Sequence, residues 1–294
     1  MPNSHFDHFI ENALKEDIGD GDHTSHACIP PGAIGKAQLL VKEEGILSGV
    51  LVSNRIFSLL DPGMKMDIFK QDGDAVKPPD VAFVVEGKIL ALLKAERLVL
   101  NIMQRMSGIA TTTYRYVRRL DGLKTKLLDT RKTTPGMRLL EKAAVRAGGG
   151  ENHRFGLYDM ILIKDNHIDF SGGIEQAISR VGEYLKRTGK NLDIEIEARN
   201  LDDVRTILGI GGIKRIMLDN FGLPETREAV ILIGERFETE SSGGITYDNI
   251  RDYAECGVDY ISVGALTHQI KSLDLSLKAL NYKTDEFGPN HTYL

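Results

Sequence analysis

The second half of the chain repeats one pattern, in which a short apolar run is followed by a stretch with helical spacing. Six such runs have starts roughly 20 to 35 residues apart: KLLDT, DMILIK, LDIEIEA, RIMLDN, RFETESS and DYISVG. This is the spacing of β/α units, whose strands pair in parallel and are covered by helices. The usual barrel of this kind has about eight strands. We therefore predict an α/β fold with an open, incomplete β/α barrel of about six parallel strands.

The first hundred residues have a different organisation. Apolar spacing predicts a helix over 5–18, and short strand-like segments separated by Gly and Pro run from 35 to 93, which indicates an α+β domain. A helical stripe over 95–120, interrupted near Ser107-Gly108, leads into the barrel. We predict an N-terminal α+β sandwich domain at 1–108, a β/α barrel catalytic domain at 109–270, and a C-terminal helical segment at 271–294 that packs back on the N-terminal domain.

Composition argues against several kinds of partner. The chain of 294 residues is 41% hydrophobic, but its longest apolar runs are strand-sized and its N-terminus resembles no signal peptide. We predict a cytoplasmic protein without a membrane partner. A sequence pI of about 5.9, the absence of Trp and the lack of a nucleic-acid-binding motif argue against nucleic acid. Cys28 and Cys256 lie far apart without a CxxC motif, which predicts two free thiols.

Positive charge is concentrated in one part of this acidic chain. From Arg97 to Lys164 there are fourteen Lys or Arg against five Asp or Glu, whereas the rest of the chain has 23 against 37. A surface that only needs solubility intersperses its charges. The segregation therefore indicates a site for an anionic ligand, such as a carboxylate or a phosphate.

Polar residues stand at the ends of the predicted strands, where barrels of this kind place their catalytic groups. The first two strands end on cations, the next two on carboxylates, and the last two on small residues. In chain order these are Arg131, Lys132, Lys164, Glu197, Asp219, Ser242, Gly243, Gly244 and Gly264.

The glycines of the last two strands indicate a phosphate site. Gly243 and Gly244 precede a helix whose predicted N-cap is Thr246, and Gly264 is placed in the same way. Glycine lets an anion approach the backbone, and helix N-termini bind anions. A single such glycine is more often only a turn, but two adjacent ones favour the phosphate.

Acidic side chains share one face of the third strand. Asp193, Glu195 and Glu197 alternate with apolar residues, so they point into the barrel and need cations or a metal to offset their desolvation. The cations of the first two strands could supply this, and a structural ion-pair network would explain Glu195. For Glu197 and Asp219, nearer the strand ends, we predict contacts with Mg²⁺ or sugar hydroxyls.

The pair His153-Arg154 follows a run of three glycines within the basic part of the chain. A single histidine usually has a structural role. Next to an arginine, however, the pair suits the binding of a carboxylate, because a guanidinium group grips a carboxylate with two parallel hydrogen bonds.

Taken together, seven motifs match a known family. They are TRKTTPG at 130–136, HR at 153–154, KDNH at 164–167, EIEA at 195–198, LDN at 218–220, SGGI at 242–245 and SVG at 262–264. The chain resembles the quinolinate phosphoribosyltransferases, the carboxylating nicotinate-nucleotide pyrophosphorylases of NAD biosynthesis. It departs slightly from the expected pattern at ESSGG and in the polar stretch TTTYRYVRR.

This resemblance implies a type II phosphoribosyltransferase in which an N-terminal sandwich domain faces an open barrel. It further implies a homodimer, or a hexamer of such dimers, with each active site completed by the partner's N-terminal domain. Arg97 would reach quinolinate from the other subunit, while Arg131, Lys132, His153, Arg154 and Lys164 would hold quinolinate and pyrophosphate. Glu197 and Asp219 would serve the ribose and Mg²⁺ of phosphoribosyl pyrophosphate, and the small residues at the ends of the last two strands would hold its 5′-phosphate.

Three other functions are compatible with parts of the pattern. A related type II phosphoribosyltransferase could act on nicotinate or another aromatic acid, although five cations are excessive for a monocarboxylate. A Schiff-base lyase could use Lys164, since aldolase lysines also lie at barrel strand ends. A non-catalytic scaffold gives no reason for the ordered cations, carboxylates and glycines.

Overall fold

The computed structural model of the chain describes residues 4–280. Internal contacts divide it into two compact units. One unit comprises the chain up to Gly108 together with the segment from Ser272, and the other comprises Ile109–Lys271. Within the described residues, no helix has both the length and the apolar character that crossing a bilayer requires.

The first unit contains a four-stranded antiparallel sheet and a two-stranded one. Its elements are α1 (Ser4–Ile18), α2 (His23–Cys28), β1 (Ile34–Val41), β2 (Gly45–Ile46), α3 (Val50–Leu60), β3 (Lys65–Ile68), β4 (Ala75–Val76), β5 (Val81–Lys88) and the first part of α4 (Ile89–Arg119). Side chains of β1 alternate between buried and more exposed positions, as expected for a sheet with one covered face. Phe57 of α3 packs edge-on against Phe83 of β5, with ring centroids 6.1 Å apart.

Helix α4 differs from its prediction, because it runs without interruption for 31 residues through Ser107-Gly108. Both residues are buried there, and the Ser107 hydroxyl accepts a hydrogen bond from the Ser48 N–H group at 2.9 Å. Burial and this bond allow a serine and a glycine inside a helix, where both are unfavourable in isolation. The border between the two units therefore falls within a helix.

The C-terminal segment differs as well. The prediction of a helical segment from residue 271 is wrong for its described part, which forms strand β12 (Leu275–Ala279). This strand pairs antiparallel with β1, so the first sheet has the order β12-β1-β5-β3. In LSLKA, Leu275 and Leu277 are buried while Ser276 and Lys278 are more exposed, which is a strand period rather than a helical one. The rest of the predicted segment, 281–294, lies outside the described residues.

The second unit is the predicted open α/β barrel. Its elements are β6 (Lys126–Leu128), α5 (Arg138–Ala147), β7 (Ile161–Ile163), α6 (Asp165–Ser171), α7 (Ile174–Thr188), β8 (Ile194–Ala198), α8 (Leu201–Ile210), β9 (Arg215–Asp219), α9 (Leu223–Ile233), β10 (Glu238–Ser242), α10 (Ile250–Ala254), β11 (Tyr260–Ser262) and α11 (Ala265–His268). All six predicted strands are confirmed, and they pair in parallel in the order β6-β11-β10-β9-β8-β7.

The barrel stays open between its first two strands. Among the described residues no ladder joins β6 to β7, and a single bridge from Leu128 to Glu151 continues the sheet beyond β6. All five residues of β8 are buried, including both of its glutamates. The parallel arrangement brings the carboxyl ends of the six strands to one side of this unit, where the predicted site residues follow them.

Candidate active site

A cavity of about 1020 Å³ lies at the carboxyl ends of the barrel strands. Eleven of the twelve predicted site residues line it: Arg131, Lys132, His153, Arg154, Lys164, Glu197, Asp219, Ser242, Gly243, Gly244 and Gly264. The twelfth, Arg97, lies in the first unit, where it is exposed on α4. The barrel thus brings together residues from every one of its six strand ends.

Two guanidinium groups face this cavity. The Arg131 Nε atom is buried without an acceptor among the described residues, while Arg154 donates from Nη1 to the carbonyl oxygen of Met160 at 3.2 Å. Burial, and after it the positive charge of nearby Arg131, lowers the pKa of Arg154. An anionic ligand between the two groups would relieve this repulsion and accept their remaining hydrogen bonds.

A buried ion pair fixes the segment that carries His153 and Arg154. Asp129 and Lys142 are 0% and 2% exposed and form a salt bridge. The Asp129 carboxylate also accepts from the His153 N–H group at 2.8 Å, and the Lys142 ammonium donates to the His153 carbonyl oxygen at 2.9 Å. Asp129, directly after β6, and Lys142 of α5 therefore hold the main chain of this segment, which keeps the Arg154 side chain at the cavity.

The His153 ring lies between this segment and two carboxyl groups beneath the cavity. Its Nδ1 atom accepts from the Arg154 N–H group at 2.7 Å. Its Nε2 atom is 3.0 Å from Glu195 Oε2 and 3.6 Å from Glu240 Oε2. Burial lowers the pKa of His153, so a neutral ring is favoured.

The cation that offsets Glu195 is not one of those predicted. Arg215, at the start of β9, places Nη1 4.0 Å from Glu195 Oε2 and 2.9 Å from Glu240 Oε2. Asp193, predicted on the inward face, is instead exposed and pairs with Lys214 at 2.6 Å. The prediction that a structural ion-pair network holds Glu195 fits this arrangement, with Arg215 as the cation and the neutral His153 ring as a further neighbour.

The stability of the protein is expected to depend on pH through the two buried glutamates, Glu195 and Glu240. Burial raises the pKa of both Glu195 and Glu240 to about 7, against a reference value of 4.5. The folded chain therefore keeps protons that the unfolded chain loses, and stability falls as the pH rises from about 4.5 through 7. Glutamine cannot ionise. The free energy of unfolding of Glu240→Gln should therefore rise, relative to that of the wild type, by up to about 3 kcal/mol between pH 4.5 and 8.

Urea unfolding of both proteins at several pH values measures this gain. Glu183→Gln, at an exposed position of α7, serves as the control and should follow the wild type. A difference between Glu240→Gln and the wild type that is the same at pH 5 and pH 8 would show that Glu240 is ionised throughout.

The acidic side of the cavity is formed by Glu197 and Asp219, and Lys164 lies beside them. Lys164, directly after β7, forms a salt bridge with Glu197 at the end of β8, and Glu197 Oε2 accepts from the Asp165 N–H group at 3.2 Å. Asp219 Oδ2 accepts from the Asn220 side chain at 3.0 Å. No hydrogen bond reaches Asp219 Oδ1 within residues 4–280, so this oxygen stays available to a ligand.

The loop after β10, here called the glycine loop, begins with Gly243 and Gly244, and its main-chain conformation is suited to binding an anion. Gly243 and Gly244 have φ angles of 87° and 64°, and their N–H groups donate to no acceptor in the described part of the chain. A Cβ atom on Gly243 would lie 2.3 Å from Asn220 Oδ1. The glycines are thus required by both the conformation and the space.

The predicted N-cap of the following helix is wrong. Helix α10 begins at Ile250 and Asn249 is its N-cap, while the Thr246 N–H group donates to the Asn249 side chain at 2.7 Å. A longer loop therefore separates the glycines from the helix. Residues 243–248 of the loop, rather than helix α10, line the cavity.

Comparison with known proteins assigns nearly the whole chain to one family. Two family models match, "Quinolinate phosphoribosyl transferase, N-terminal domain" over residues 22–107 and "Quinolinate phosphoribosyl transferase, C-terminal domain" over residues 109–278. The chain belongs to the quinolinate phosphoribosyltransferase family. Both of the family's domains are present.

Relatives in this family come from plants and bacteria. The chain is 44% identical over 284 residues to quinolinate phosphoribosyltransferase [decarboxylating] 1b of Nicotiana tabacum, with 92% of this chain and 81% of the relative covered. It is 44% identical over 268 residues to a probable nicotinate-nucleotide pyrophosphorylase [carboxylating] of Bacillus subtilis, with 91% of each covered. The solved structure of the nicotinate-nucleotide pyrophosphorylase from Francisella tularensis is 38% identical, with a TM-score of 0.88, and 95% of this chain and 98% of that chain are covered.

Several residues of the site were missed from the sequence. Glu240 and Arg215 lie on neighbouring strands beneath the cavity, and Tyr116, Tyr247 and His268 line it. The acidic pair in RFETESS opposite the arginine of RIMLDN was a usable signal, because adjacent parallel strands carry opposite charges there. Nothing in the local sequence of Tyr116 indicates that its helix reaches a strand end.

Proposed function

We propose that this protein transfers the phosphoribosyl group of phosphoribosyl pyrophosphate to quinolinate and releases CO₂, pyrophosphate and nicotinate mononucleotide. The observation that carries the proposal is the cavity at the strand ends, where cations, carboxylates and a glycine loop converge. Quinolinate is a dianion and phosphoribosyl pyrophosphate a polyanion, so placing them side by side requires several fixed positive charges. The family membership favours this reaction over the Schiff-base lyase.

The basic side of the cavity is suited to quinolinate. In this proposal Arg131 and Arg154 bind its carboxylates, and the Asp129–Lys142 pair holds the segment that presents Arg154. His153 forms the adjoining wall. The pyridine nitrogen then attacks C1 of the ribose while the bond from C1 to the pyrophosphate oxygen breaks. The 2-carboxylate then leaves as CO₂, the positively charged ring stabilises the electron pair that remains on C2, and a proton from water bonds to C2 to complete the product.

The acidic side is suited to the sugar. Glu197 and Asp219 would favour the positive charge that develops on the ribose as the leaving group departs, and Lys132 and Lys164 would neutralise the pyrophosphate. The glycine loop with Ser242, and Gly264 on the next strand, would receive the 5′-phosphate through backbone N–H groups.

The carboxylates also fit the predicted Mg²⁺. Proteins usually hold this ion through one or two carboxylates together with substrate phosphates and water. Asp219 Oδ1 is available as a direct ligand, whereas both oxygens of Glu197 are already engaged, so Glu197 would act through water or substrate. Bound Mg²⁺ would neutralise negative charge on the pyrophosphate that leaves.

A homodimer with shared sites is part of the proposal, because Arg97 lies outside the unit that contains the cavity and does not line it. If Arg97 acts in the partner's site, Arg97→Ala and Lys164→Ala should each be inactive alone. Mixed dimers would contain one intact site, so an equal mixture should recover about one quarter of wild-type activity.

Subunit exchange between the two variants is verified by native mass spectrometry with one of them isotopically labelled. Mixed dimers without any activity would exclude a shared site, and the size of the species formed decides between a dimer and a hexamer. A mixture of Lys164→Ala with itself is the control.

The cytosol remains the proposed compartment. Names of plant relatives place one in the chloroplast of Arabidopsis thaliana and another in the mitochondrion of Nicotiana tabacum. Cell fractionation with antibodies to this protein distinguishes these compartments.

A further inference from the structure

The polar stretch TTTYRYVRR, in which the chain departs from the expected family pattern, lies in the second half of α4 and contacts the glycine loop of the cavity. The Tyr116 ring packs edge-on against the Tyr247 ring, with centroids 5.6 Å apart and an interplanar angle of 77°. The Arg119 guanidinium lies 5.3 Å from the centroid of the same Tyr247 ring and donates to the Asp248 carbonyl oxygen at 3.4 Å. Helix α4 therefore holds the part of the loop that follows Gly243 and Gly244.

The Tyr116 hydroxyl has a hydrogen to donate. Its side chain is buried, with 7% exposed, yet it lines the cavity. The hydroxyl lies close to the backbone N–H group of Tyr247, and among residues 4–280 no acceptor takes its own hydrogen. Burial raises the pKa of Tyr116, which keeps the hydroxyl protonated at neutral pH.

No described residue accepts the hydroxyl hydrogen, so its position on a cavity wall points to an acceptor on the ligand. Through its ring, Tyr116 contacts the same loop whose Gly243 and Gly244 N–H groups also lack acceptors. A phosphate group has enough oxygens to accept from all of these donors at once.

We propose that Tyr116 binds the 5′-phosphate of phosphoribosyl pyrophosphate, with its hydroxyl donating a hydrogen bond to a phosphate oxygen. This inference rests on the proposed function. Tyr247 and Arg119 act as positioning residues, since they hold the loop against α4 without needing to contact the phosphate themselves.

Tyr116→Phe tests the role of the hydroxyl, because it keeps the ring contact with Tyr247. Calorimetry is done with three separate probes: ribose 5-phosphate, pyrophosphate and quinolinate. The affinity for ribose 5-phosphate should fall about tenfold or more, as expected for the loss of a hydrogen bond to a charged group. The other two affinities should stay within twofold. In steady-state assays the KM for phosphoribosyl pyrophosphate should rise more than kcat falls.

Tyr253→Phe is the matched control. The Tyr253 hydroxyl donates to the Phe221 carbonyl oxygen at 3.0 Å and does not line the cavity, so its loss should lower the melting temperature without changing any of the three affinities. Unchanged ribose 5-phosphate binding by Tyr116→Phe would overturn the inference. So would a loss confined to pyrophosphate, or an equal loss for all three probes. Failure of the wild type to form nicotinate mononucleotide would instead contradict the proposed function, whereas the ribose 5-phosphate comparison would still test Tyr116.

Discussion

Gly243→Ala is expected to weaken the binding of phosphoribosyl pyrophosphate by about a hundredfold, which corresponds to about 3 kcal/mol. The new methyl group would lie 2.3 Å from Asn220 Oδ1 and 2.9 Å from the Asn220 backbone nitrogen, so the loop or the end of β9 must move. The φ angle of 87° adds strain of about 1 to 2 kcal/mol for a residue other than glycine. Both effects displace N–H groups that the proposed phosphate site requires.

Gly244→Ala is the matched control for backbone strain. Its φ angle of 64° is also positive, but no atom lies within 4 Å of the added Cβ. It should lose about tenfold in affinity at most, from strain of about 1 kcal/mol alone. Calorimetry with phosphoribosyl pyrophosphate measures both variants, and equal affinities for the two would show that the close approach to Asn220 is not what shapes the loop.

Lys142→Met is expected to destabilise the folded protein by about 3 to 5 kcal/mol, because it leaves the buried Asp129 carboxylate without its cation. The Lys142 ammonium also supports the His153 carbonyl oxygen, so we expect the affinity for quinolinate to fall in the fraction that stays folded. Urea unfolding measures the first effect and calorimetry with quinolinate the second.

Two further variants show whether the lost stability comes from the buried charge. Lys124→Met removes a lysine whose salt bridge with Asp259 is largely exposed, at 68% for the lysine side chain, and should cost at most about 1 kcal/mol. Adding Asp129→Asn to Lys142→Met removes the uncompensated charge and should recover part of the lost stability. If the single variant were no less stable than the surface control, the buried pair would have no structural role.

The sequence predicted the barrel well because each of its strands combines a short apolar run with a functional residue at its end. In RIMLDN, for example, three apolar residues form the buried part of β9 and Asp219 follows at the cavity. Parallel strands end on one side of their sheet, so residues far apart in the chain are predicted to lie together from their positions at strand ends alone. The same reasoning placed the glycine loop and Lys164.

Features that depend on distant partners could not be predicted. Strand β12 forms because β1 offers an edge to pair with, and five residues of LSLKA hold too little information to distinguish a strand from a helix. The continuous helix α4 depends on the contact between Ser107 and Ser48.

The most direct test of the proposed function uses quinolinate labelled with ¹³C in its 2-carboxylate, together with phosphoribosyl pyrophosphate and Mg²⁺. The proposed function predicts one labelled CO₂ and one pyrophosphate for every nicotinate mononucleotide formed. Nicotinate mononucleotide formed faster from nicotinate than from quinolinate, or formed without labelled CO₂, would contradict it.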